Sequence, residues 1–153
     1  MSSKLMILIV ALSFILLMGV YFIANPSYEK SIRAKYYFEV GEYEEALVLA
    51  KESFALDVYN RMASTVMAQS VTSLKYVKYI EMGKEYAAEI DAIAEHEFIS
   101  KGDKAKIRLM CEIMISSYVK LAPSVITDKE LVEESAMYYK KFETLLEKVT
   151  KRT

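Results

Sequence analysis

The chain has 153 residues with 20 basic and 21 acidic side chains interspersed along it, so a formal net charge of −1 supplies no one-signed field to hold nucleic acid. One cysteine, Cys111, excludes an intrachain disulfide. Only 4 glycines and 2 prolines stand beside plentiful Ala, Leu, Glu, Lys, Met and Tyr, which favours helices over a turn-rich sheet and sets the expected fold class as all-α.

Residues 5–24, LMILIVALSFILLMGVYFIA, carry no charge. At about 1.5 Å per residue they span roughly 30 Å, the hydrocarbon thickness of a bilayer. The run is longer than the apolar core of a secretory signal, and a cut after Ala24 would put Phe22 where a small side chain is wanted. The expectation is an uncleaved signal anchor: a flank at 1–4, a transmembrane helix at 5–24, one helical domain at 25–149 and a frayed tail at 150–153. Lys30, Arg33 and Lys35 follow the run while Lys4 and the α-amine precede it. The positive-inside rule weakens before large domains, and a tiny basic N-terminus is the signal-anchor arrangement, so the domain is expected outside the cytoplasm, periplasmic in a bacterium. Ala11, Ser13 and Gly19 form no Gly-x-x-x-Gly pair, which reads as a plain lipid anchor.

Beyond the anchor, Asn25-Pro26 opens a first helix that reaches Val40 and stops at Gly41. A second runs from Glu42 to Leu56, with Ala46, Leu47, Leu49, Ala50, Phe54 and Leu56 toward its buried side. Asp57 is expected to cap a third, whose inner stripe is Tyr59, Met62, Ala63, Val66, Met67, Ser70, Leu74, Val77 and Ile80, ending near Gly83. A fourth covers residues 85–99 with Tyr86, Ile90, Ile93, Ala94 and Phe98 inward. The KGD turn at 101–103 opens a fifth, which stops before Pro123. Thr127 and Glu130 have capping-box spacing for a sixth, striped by Leu131, Ser135, Tyr138, Phe142, Leu145 and Val149. Six helices on short turns pair as three antiparallel hairpins, with an irregular six-helix bundle as the alternative.

Residues 27–57 resemble a tetratricopeptide repeat. The resemblance rests on Ala34 and Tyr37 in the first helix, Gly41 at the turn, Tyr43 after it, Ala46 and Ala50 in the second helix, and Leu56 at its end; residues 41–46, GEYEEA, are its most specific part. Small Ala34, Ala46 and Ala50 allow close helix approach, Gly41 lets the chain reverse, and Tyr37 and Tyr43 fill the space between helices. Ser53 stands where the family usually has alanine and Val58 where it usually has proline. The later hairpins keep little of the pattern. The resemblance implies a superhelix with a concave, protein-binding face, on which Arg33, Tyr36 and Glu39, then Asn60, Ser64, Gln69 and Ser73, are the partner-binding candidates.

No residue pattern points to catalysis. His96 is the one histidine, and Ile93 occupies the place where a di-iron bundle would need glutamate. Glu85 with Glu89, and Asp91 with Glu95, read as a solvated acidic face. Cys111 lies among Met110, Ile113 and Met114 without a histidine partner, and no glycine-rich phosphate loop occurs. Catalytic residues, metal ligands and cofactors are therefore expected to be none. Twelve tyrosines are the compositional excess, and adjacent pairs such as Tyr36-Tyr37 and Tyr138-Tyr139 cannot all face a core. Together these features suggest a membrane-anchored scaffold or adaptor, a subunit of a cell-envelope complex of the secretion, pilus or flagellar kind, whose partner is another protein. A self-assembling homo-oligomer and a small-ligand-binding bundle at the membrane are the alternatives.

Overall fold

A computed structural model describes residues 3–123 and 127–151. Those residues form six helices and no strand: α1 (Ser3–Ala24), α2 (Pro26–Glu39), α3 (Tyr43–Leu56), α4 (Arg61–Ala94), α5 (Lys101–Tyr118) and α6 (Lys129–Lys151). Within α1, the window Lys4–Tyr21 is long and apolar enough to cross a membrane, and none of it is buried by the rest of the chain. Asn25 separates α1 from α2, accepting the Ser27 N–H on its side chain at 3.0 Å while Pro26 takes the first helical turn.

The chain gathers into two compact units, Met1–Val71 and Thr72–Thr153. The first unit is built on an antiparallel pair, α2 and α3. Gly41, at φ +86°, makes the reversal, with its N–H donating to Phe38 O at 3.2 Å and the Glu42 N–H to Tyr37 O at 2.9 Å. This is the glycine-terminated helix end in which a left-handed residue satisfies the last carbonyls. Ala34, Ala46, Leu49, Ala50 and Val66 form the apolar core, flanked by Tyr37, Phe38 and Met67. Phe38 meets Tyr43 edge-on across the turn at 5.4 Å.

Leu56, expected to pack inward, is 55% exposed because α3 ends on it. Asp57 does not cap the next helix; its carboxylate accepts the Tyr59 N–H at 2.9 Å, holding a short turn. The cap of α4 is Asn60, whose Oδ1 accepts the Ala63 N–H at 3.1 Å. Tyr59 therefore lies in the turn, and Met62 on the outer side of the first helical turn; both are exposed rather than inward.

Gly83 does not end a helix. The predicted third and fourth helices are one, α4, so five helices follow α1 instead of six. The reason is close packing: a Cβ at Gly83 would lie 2.8 Å from Cδ1 and 2.9 Å from Cγ of Tyr138, and 3.2 Å from Cε of Met114. Glycine here makes room for a tyrosine ring and leaves the helical backbone intact. The second unit's core collects Tyr79, Ala87, Ile90 and Ile93 from α4, Ile107, Met110, Cys111 and Met114 from α5, and Phe142 from α6. Phe98, expected inward, is exposed in the segment after α4 ends at Ala94, and Ala94 is exposed with it.

Two further helix starts differ from expectation. The cap of α5 is Ser100, whose hydroxyl accepts the Asp103 N–H at 3.1 Å while the Asp103 carboxylate accepts the Ser100 N–H at 3.0 Å, a reciprocal capping box. At α6, Asp128 accepts the Glu130 N–H at 2.9 Å. Thr150 and Lys151, expected in a frayed tail, continue α6, and residues 152–153 lie outside the described residues.

Candidate functional site

The three predicted partner-binding residues of α2 lie together in the open. Arg33, Tyr36 and Glu39 are all exposed, and Tyr36 joins Ile32 and Val40, which the sequence did not single out, in an apolar stripe at 51%, 63% and 53% exposure for Ile32, Tyr36 and Val40. Spacing of four residues puts successive members one turn apart on the same helical face. The stripe is bordered by two ion pairs, Arg33 with Glu29 at 3.7 Å and Lys35 with Glu39. Both pairs are exposed and contribute little to stability. Tyr36 rests edge-on against Tyr37 at 5.7 Å, and Tyr37 packs on the alanine core, so a half-buried ring backs the exposed one.

Asn60 and Ser73, expected on a partner-binding face, are buried. Each is 1% exposed and cannot touch a partner. Asn60 is instead the centre of a buried polar cluster in the first unit. The two N–H groups of its Nδ2 are shared among Ser27 Oγ at 3.0 Å, Ser31 Oγ at 3.2 Å and Ser53 Oγ at 3.3 Å, while its Oδ1 caps α4. Ser53 Oγ donates to Ser27 O at 2.6 Å, and Ser31 Oγ to Tyr28 O at 2.9 Å. One side chain thus fixes α2, α3 and the start of α4 to one another, and every hydroxyl in the cluster has a partner. Ser53, which departs from the repeat pattern, belongs to this cluster; the departure was the signal that could have found it. Ser64 and Gln69 are half-buried, with Ser64 Oγ turned back to Arg61 O at 3.0 Å.

The residues expected to pack a repeat divide the same way. Ala34, Tyr43, Ala46 and Ala50 are buried, Tyr37 is half-buried, Gly41 makes the turn, and Leu56 stands outside. A second group of exposed apolar side chains, Leu56, Val58, Tyr59 and Met62, surrounds the α3–α4 turn.

The second unit holds the chemistry-bearing side chains. Cys111 is fully buried among apolar residues, and that burial pushes its thiol up to about 11, so it stays protonated and unreactive at neutral pH. His96 is exposed. Among the described residues no three His, Cys, Asp or Glu side chains converge as metal ligands. A tyrosine series, Tyr79, Tyr118 and Tyr139, runs through this unit, with ring centroids 5.8 Å and then 4.5 Å apart, the second pair stacked. Tyr139 donates to Glu143 at 3.0 Å. Among the described residues the buried Tyr79 hydroxyl has no hydrogen-bond partner, and burial raises its pKa above the ordinary tyrosine value. Beside it lies a crevice of about 370 Å³ lined by Lys75, Lys78, Tyr79, Met82, Ser117, Lys120 and Leu121.

Comparison of the chain with protein-family models, with curated proteins and with solved structures gives no match.

Proposed function

We propose that the chain is a membrane-anchored, non-catalytic docking module that holds another membrane or cell-envelope protein on the outer face of α2. The observation that carries this reading is the Ile32, Tyr36 and Val40 stripe, exposed apolar area on a helix joined by one residue to the apolar α1. An isolated exposed Leu or Ile needs no explanation, whereas an apolar file flanked by charged pairs has the composition of an interface centre with a polar rim. The partner of matching chemistry presents an amphipathic helix, its apolar face on the stripe and its charges opposite Arg33 and Glu39.

In this reading α1 is an uncleaved anchor with the helical part outside the cytoplasm, and the complex is an envelope assembly such as a secretion, pilus or flagellar apparatus. Confinement beside the membrane raises the effective concentration for a membrane partner without adding any contact. The α2–α3 hairpin serves as one tetratricopeptide-like pair. Support comes from the close packing of Ala34, Ala46 and Ala50 and from the Gly41 reversal. The later helices, with α4 unbroken through Gly83, act as a support rather than as further repeats.

The test is site-specific photocross-linking in the native membrane. A benzophenone side chain at Tyr36 is expected to capture one discrete partner, and the same group at exposed Lys51 on α3 is not. Equal capture from both positions, or capture from neither, would overturn the assignment of the α2 face.

A further inference from the structure

The crevice of the second unit has two parts. Its lining from α4, Lys75, Lys78, Tyr79 and Met82, falls on a single helical face at spacings of three, four and seven residues; Ser117 of α5 and Lys120 and Leu121 just beyond it form the facing wall. The apolar part of the lining is Met82, Leu121 and Tyr79, and the exposed Lys75, Lys78 and Lys120 add the methylenes of their stems. At about 370 Å³ it falls within the range of small-molecule sites.

The charges at its rim are uncompensated. Among the described residues, Lys84 pairs with Glu134 and Lys106 with Glu89, whereas Lys75, Lys78 and Lys120 enter no ion pair. An open crevice with an apolar wall beside three lysines in no ion pair is complementary to a molecule with a hydrocarbon chain and one anionic head.

We propose that this crevice binds a single-chain anionic amphiphile of the fatty-acid class, its chain along Met82, Tyr79 and Leu121 and its carboxylate among Lys75, Lys78 and Lys120. Charge-assisted hydrogen bonds from the ammonium groups fix the head, and the chain supplies most of the affinity, about two- to fourfold per methylene buried. The inference stands apart from the α2 docking face, so either can fail without the other.

The full-length protein in nanodiscs of zwitterionic lipid is irradiated with a photoactivatable dodecanoate, and labelled peptides are mapped. Label is expected in residues 75–82 and 117–121, displaced by dodecanoate at a concentration at least tenfold below that of dodecanol. The K75Q/K78Q/K120Q variant should lose this preference with an unchanged Tm, and Ser117→Phe, which fills the crevice, should lose the label itself. A control triple, K140Q/K141Q/K148Q, removes the same charge from one face of α6 and should change nothing. Label confined to residues 5–24, equal displacement by dodecanol, or equal loss in both triples would overturn the proposal, the last by showing general attraction to basic surface.

Discussion

The two units are held together by different physics. In the first, the residues between helices are small, Ala34, Ala46 and Ala50, and the contacts that fix geometry are directional hydrogen bonds around Asn60. In the second, Phe142, Met110, Met114 and three isoleucines fill the core, and tilted and stacked tyrosines lie against it. Small side chains with a satisfied polar cluster admit one arrangement of helices, because any shift breaks several hydrogen bonds at once. Large flexible side chains give more burial per residue and tolerate change, and they leave crevices between them. The proposed docking face lies on the first unit and the proposed ligand crevice in the second.

Breaking the bulk of the second core should have the largest effect. Phe142→Ala, at a fully buried position, is expected to cost about 3 to 5 kcal/mol in chemical denaturation, with hydrogen exchange accelerated in α4 beyond Thr72, α5 and α6 before α2 and α3. Uniform acceleration along the chain would mean that the two units unfold as one.

The polar centre of the first unit comes next. Asn60→Ala removes a helix cap and leaves serine hydroxyls short of a partner, an expected loss of about 2 to 4 kcal/mol. Asn60→Ser restores the cap alone and should recover part of that loss. Full recovery would show that the cap, and not the cluster, matters.

Gly83→Ala sharpens the contrast further. In an exposed helix interior the change would stabilise, but here the added methyl meets the Tyr138 ring, so a loss of about 1 to 3 kcal/mol is expected by thermal melting.

The smallest effect belongs to the α5 cap. Hydrogen bonds from the Ser100 hydroxyl and backbone N–H hold the Asp103 carboxyl below its ordinary value. A carboxyl depressed in the folded state contributes stability that is present above its unfolded value, about 3.9, and lost as pH falls through the lower folded one. The Tm difference between wild type and Asp103→Asn should therefore be full at neutral pH and shrink below about pH 4. Ser100→Ala should cost about 1 kcal/mol.

How far the sequence could be read follows the same division. Periodicity located α2, α3, α5 and α6, since each buries one face and ends on a recognisable cap or turn, and Gly41 was legible because a reversal after Val40 needs a residue free to adopt positive φ. Gly83 was not, because a glycine that ends a helix and one that admits a neighbouring ring look identical until Tyr138, 55 positions on, is placed against it. Asn60 and Ser73 read as surface for a related reason: polarity marks exposure only when no partner is buried nearby, and the serines that satisfy Asn60 are 33, 29 and 7 residues away. On α2 the exposed charges were legible and the apolar stripe between them was not, since Ile32 and Val40 in a chain this apolar look like core.

Co-purification from native membranes tests the docking claim most directly, comparing the full-length chain with an I32S/Y36S/V40S variant and with a form lacking residues 1–25. A specific partner retained by wild type, lost from the triple variant at unchanged Tm and reduced in the truncated form, is the predicted result. A partner recovered equally by all three would contradict it, placing the contact elsewhere and making the anchor irrelevant to it.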